Sequence, residues 1–164
     1  GAHAAAQQRQ MCIRDRAYRA RLDVPAAKLL AEGTKTRDPR PLRTLLDLYF
    51  ASRPTEEALA RLGDLAFERG EFRLAESYWR RLLPGTAASE LPFPDPSPDR
   101  EPTIRARSIL AAIFQGESER AAAEHAEFRK KFPTATGRLA GREGNLADTL
   151  AQILAAKPRT PAAD

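Results

Sequence analysis

Residues 55–84 read TEEALARLGDLAFERGEFRLAESYWRRLLP, and the fold is decided here. Thr55 is a helix-capping residue, and Glu56 and Glu57 suit the positive end of a helix dipole. Leu59, Leu62, Leu65 and Ala66 recur at helical spacing, which makes one face of the segment apolar. Gly70 interrupts the pattern, and Phe72, Ala75, Trp79, Leu82 and Leu83 form a second apolar stripe. So few residues separate the stripes that the chain must return antiparallel. The spacing predicts a helical hairpin with small residues at Gly63, Ala66 and Ala75, and with Trp79 packed between its helices.

Toward the amino terminus, Asp23 followed by Pro25 reads as a helix start and Gly33 as its stop. Asp38 and Pro39 repeat the start signal, Leu42, Leu45, Leu46 and Tyr49 share one face, and Ser52 and Pro54 end that helix. Toward the carboxyl terminus, residues 102–133 align with the first hairpin when Gly116 is laid on Gly70. Ala112 then matches Ala66, Ala121 matches Ala75 and His125 matches Trp79, while Ser108 and Ile109 replace Leu62 and Gly63. Between the copies, residues 85–102 carry Pro92, Pro94, Pro96, Pro98 and Pro102, a spacing that favours extended chain. Leu91 and Phe93 are expected to pin this insertion across the groove between the hairpins; the alternative is a ligand-like segment for a proline-binding partner. Beyond Pro133 a glycine-rich turn leads to Asn145, a helix cap with Asp148 in capping-box position. Leu146, Leu150, Ile153 and Leu154 give the last helix an apolar face that can cover the open end of an array.

Composition agrees with an all-α fold of stacked antiparallel hairpins. Ala and Leu dominate the apolar set, and Val24 is the single valine, so the material for a large sheet is missing. Of the net +5, residues 1–43 contribute +6, which could suit nucleic acid or an anionic membrane surface. Removing residues 1–16 leaves +3, an ordinary value for a solvated helical surface. Cys12 is the only cysteine, which excludes an internal disulfide and a cysteine metal cluster. No apolar run approaches the length of a membrane span.

Leu62-Gly63, Gly70, Phe72, Ala75 and Trp79 together resemble a tetratricopeptide repeat, with residues 102–133 as a second copy. Leu82 and Pro84 depart from that pattern at its end. The order of the two hairpins, the proline-rich insertion and GRLAGREGNLADTL also resembles the helical region preceding a PQQ-like β-propeller in large bacterial proteins. The resemblance covers residues 17–157 and implies that the chain is a fragment, with a propeller following. Residues 11–15, MCIRD, resemble a translated sequencing adapter, which places 1–16 in a leader outside the domain; residues 158–164 have linker composition.

Candidate chemistry is sparse. His125 stands beside Glu124 and Glu127 without a second ligand at helical spacing, and is expected to be a packing or surface residue. Gly137, Gly141 and Gly144 lack the preceding strand and the Gly-Lys-Ser/Thr of a phosphate loop, and are expected to form a tight turn between helices. Arg129, Lys130 and Lys131 end a helix, where the dipole favours positive charge, and Phe128 and Phe132 are spaced to face the core. No catalytic, cofactor-binding or metal-ligating residue is assigned.

The expected function is a non-catalytic protein-interaction or scaffolding module. Arg61, Asp64 and Glu68, with Arg105 and Arg107 in the second copy, are the candidate contacts on the face of the first helices opposite the core. The expected partner is a protein or peptide segment, including the chain's own downstream propeller. One alternative is an accessory domain of a quinone-cofactor enzyme whose active site lies elsewhere. Another is nucleic-acid binding through the basic amino-terminal segment, which the modest charge left after residue 16 disfavours.

Overall fold

A computed structural model describes residues 20–84 and 97–156. The leader with MCIRD, the pinning residues Leu91 and Phe93 and the linker 158–164 lie outside the described residues. Among the described residues, the regular structure is helical apart from one small β-hairpin, and the chain divides into two compact units between Leu62 and Gly63.

The first unit holds α1 (20–36), α2 (Pro39–Tyr49) and the first part of α3 (Pro54–Glu68). Three expectations fail here because partners outside the helix in question override the local end signals. Asp23 does not start α1, which is already helical at residue 20; its carboxylate accepts the Arg53 backbone N–H at 2.8 Å. Gly33 does not stop α1 but lies buried inside it, where a Cβ would come within 2.6 Å of Leu42 Cγ. The helix ends at Arg37, with φ of 54°. Thr55 is not the cap of α3, since the helix opens at Pro54; the Thr55 hydroxyl turns back onto the Tyr49 carbonyl at 3.1 Å. The Asp38 cap is as expected, accepting the Arg40 N–H at 2.9 Å, and Leu42 and Leu45 of the α2 stripe are fully buried.

The second unit contains the rest of α3, then α4 (Phe72–Arg80), α5 (Glu101–Phe114), α6 (Ser118–Lys131), β1 (Thr136–Leu139), β2 (Arg142–Asn145) and α7 (Leu146–Ala156). The two interhelical turns are copies of each other. Gly70 has φ of 78° and Gly116 of 82°, and each closes a paired C-terminal motif. Glu71 N–H reaches the Ala66 carbonyl at 3.0 Å and Glu117 N–H the Ala112 carbonyl at 3.1 Å, while Gly70 and Gly116 N–H reach Phe67 and Ile113. The superposition of Gly116 on Gly70 therefore holds at the level of backbone hydrogen bonds.

Beneath these turns, α5 packs against α4 on one side and α6 on the other. Ile109, Leu110 and Ile113 of α5, Phe128 of α6, and Leu146 and Leu150 of α7 share one buried core. The carboxyl-terminal helix covers α5 and α6, and Asn145 caps it by accepting the N–H groups of Ala147 at 2.9 Å and Asp148 at 3.1 Å. Asp148 offers its carboxylate to Arg129 at 3.9 Å, so the expected capping box is one-sided.

Two expectations are corrected in this unit. The glycine-rich turn is an antiparallel hairpin whose two-residue turn, Ala140-Gly141, has both φ values positive, at 50° and 78°. Its Leu139 is buried in the core. The proline-rich insertion also stops short of residue 102, since Pro98–Arg100 form a single 3-10 turn and Glu101 with Pro102 opens α5.

Candidate functional site

A groove of about 580 Å³ runs over α5 between α4 and α6. Leu83, Ile109, Ala123, Phe128 and Phe132 supply its apolar lining. Charged side chains border it, and the helices place them there because Glu76 and Arg80, Arg105, and Glu124, Glu127 and Lys131 occupy the faces of α4, α5 and α6 turned toward one another.

Two carboxylates tie these helices together. Glu76 accepts both Nη groups of Arg120, at 2.7 and 3.1 Å, and also meets Arg80 at 2.8 Å and Gln115 at 3.3 Å. Burial pushes the Glu76 carboxyl up, but Arg120, Arg80 and Gln115 together outweigh it and hold the group below the usual carboxylate range. Its partner Arg120 is raised by the same hydrogen bonds. Arg120 Nε is 2.5 Å from Glu117, an ion-pair contact that lies off the N–H axis. Glu101 works similarly at the other end, accepting Arg105 and Lys131 at 2.7 Å each and so joining the start of α5 to the end of α6. It too is held below the usual range, its partial burial outweighed by the two cations.

Glu124 differs from both. Its closest cation is Arg120 at 3.6 Å, and that guanidinium is already committed to Glu76. Burial is the main influence and raises the Glu124 carboxyl above its ordinary value.

The structure spreads the contact residues expected from sequence. Arg61 pairs with Glu57 at 2.9 Å along α3. Asp64 and Arg107 are brought together at 2.7 Å, joining α3 to α5, with the Arg107 guanidinium 6.0 Å from the Trp79 ring centroid. Glu68 is exposed on the last turn of α3. Arg105 and Arg107 do not share a face, because residues two apart on a helix point in different directions. Arg105 lines the groove, whereas Arg107 turns to Asp64.

Other side chains fall where the spacing put them. Trp79 is buried at 2% exposure, among Gly63 and Phe67. His125 Nε2 lies 2.8 Å from the Ala147 carbonyl and links α6 to α7. Phe128 is buried, and Phe132 packs against the same core. Sequence reasoning missed Glu76, Arg120 and Glu124; the one available signal was the i,i+4 pairing of Glu76 with Arg80 and of Arg120 with Glu124.

Among the described residues, no cluster of His, Cys, Asp and Glu is placed to hold a metal ion, and no helix is long and apolar enough to cross a membrane. Comparison with protein-family models, with curated proteins and with solved structures finds no match.

Proposed function

We propose that the chain is a non-catalytic, tetratricopeptide-like interaction module that docks a segment of a partner protein in the groove between α4 and α6. The observation that carries this reading is the groove itself, a concavity lined by Leu83, Ile109 and Phe128 and bordered by charge. An apolar floor with a polar rim is the arrangement by which helical segments are held in grooves. The helices that form it are fixed by the Glu76 and Glu101 ion pairs, so little ordering is required on binding. The segment comes from another chain or from a companion domain, such as the propeller that the sequence resemblance implies.

Ala123 gives a direct test because it lines the groove yet is exposed, so its replacement leaves the core intact. Ala123→Trp is expected to fill the groove and abolish retention of peptides from a helix-biased array, with an unchanged circular dichroism spectrum. Retention that survives the substitution would place the docking surface elsewhere.

A further inference from the structure

The cations of the groove are matched within it. Arg80 is held by Glu76 at 2.8 Å, and Arg105 and Lys131 are both held by Glu101 at 2.7 Å. The carboxylates are not matched in the same way. Glu127 has Lys130 at 2.8 Å and is largely in water, but Glu124 has no ion pair closer than the 3.6 Å contact with Arg120. Arg80, which also favours its charge, is itself paired with Glu76, while Glu76 and Glu117 oppose that charge. Arg120 in turn spends both Nη groups on Glu76, and its Nε lies beside Glu117 without a hydrogen bond to it. The groove therefore presents one under-compensated acidic group beside apolar surface, and the charge it lacks is positive.

We propose that the groove takes a basic amphipathic segment of a partner protein, whose apolar side chains cover the partly exposed Leu83, Ala123 and Phe132 and whose arginine or lysine reaches Glu124. The assignment rests on the docking reading above and specifies its ligand. Apolar burial supplies the attraction, and the cation supplies the selection. An acidic segment is rejected by Glu124, because it sets two carboxylates together in partly dry surroundings. A neutral segment leaves Glu124 covered and unpaired, which is also unfavourable. Glu124 is poorly served in the free protein, where burial raises its carboxyl, and a bound cation relieves that condition.

The test is an array of helix-biased peptides with two leucines four residues apart and one flanking position set to arginine, lysine, glutamine or glutamate. The full chain, fluorescently labelled, is the probe. Arginine and lysine peptides are expected to bind about ten-fold more tightly than glutamine and to exclude glutamate, a difference typical of one partly desolvated charge pair. Glu124→Gln removes this preference, whereas Glu127→Gln, on the exposed rim, preserves it. Binding that ignores the charge of the peptide overturns the cation assignment and leaves the docking reading intact. Retention of no peptide overturns both. Self-association of the free chain that Glu124→Gln abolishes assigns the groove to a second copy and overturns the proposal of a foreign partner.

Discussion

The Trp79 indole occupies the space that a side chain on Gly63 would require: a Cβ built there meets Nε1 and Cδ1 of the ring and lies 2.7 Å from Cε2. Glycine inside a helix ordinarily costs about 1 kcal/mol relative to alanine. Here the sign reverses, because the ring is buried and has nowhere to move. Gly63→Ala is expected to destabilise the protein by about 1–3 kcal/mol in urea unfolding. Stabilisation by that substitution would mean that α3 and α4 do not approach as closely as the structure has them.

Gly70 and Gly116 make a paired test of the repeat. Both adopt left-handed φ with nothing within 4 Å of a Cβ, so alanine at either suffers only the backbone penalty, about 1–2 kcal/mol. Because the turns are copies, Gly70→Ala and Gly116→Ala are expected to cost equal amounts and, being in separate turns, to add in the double variant. Clearly unequal costs in chemical denaturation would argue against equivalent turns.

Glu76 sets a pH dependence of definite sign. Its folded-state carboxyl lies below the ordinary range, so the stability it contributes is present above its unfolded pKa of about 4.3 and is lost as pH falls through the folded value. Glu76→Gln is expected to cost roughly 1.5–3 kcal/mol at neutral pH, the range for a hydrogen bond to a charged group. The gap between wild type and variant should close in acid. A gap that is constant from pH 7 to pH 3 would assign the cost to packing and not to charge.

Glu124 has the opposite sign. With its carboxyl raised, ionisation in the folded state is unfavourable above the unfolded pKa, and the penalty disappears as pH falls and the group protonates. Glu124→Gln is therefore expected to raise the melting temperature at pH 7 and to have no such effect near pH 3. The same substitution is expected to weaken selection of basic peptides, so that stability and binding move in opposite directions. A lowered melting temperature at pH 7 would show that Arg120 compensates Glu124 more fully than a 3.6 Å contact suggests.

The parts of the fold that were legible in the sequence are those set by local chemistry. Gly70 and Gly116 dictate their turns through backbone conformation alone, and Asp38 and Asn145 cap their helices with their own side chains. Legibility stops where a distant partner decides. Asp23 is drawn from the capping role by the amide of Arg53, and Gly33 serves packing against Leu42. The β-hairpin was hidden because Thr-Gly-Arg-Leu and Arg-Glu-Gly-Asn lack the alternation and β-branching of ordinary strands. It is held by the burial of Leu139 and by the Asn145 side chain donating to the Pro133 carbonyl at 2.8 Å. The groove was invisible for a related reason. The under-compensated state of Glu124 depends on Arg120 having chosen Glu76, which lies 44 residues away along the chain.

The most direct measurement is the amide chemical-shift map of the protein titrated with the arginine-bearing peptide of the array. The account predicts shifts concentrated around the groove, at Leu83, Ile109, Ala123, Glu124 and Phe128, and their loss in Ala123→Trp. Shifts confined to the Asp64 and Arg107 face, or none at saturating peptide, would contradict it.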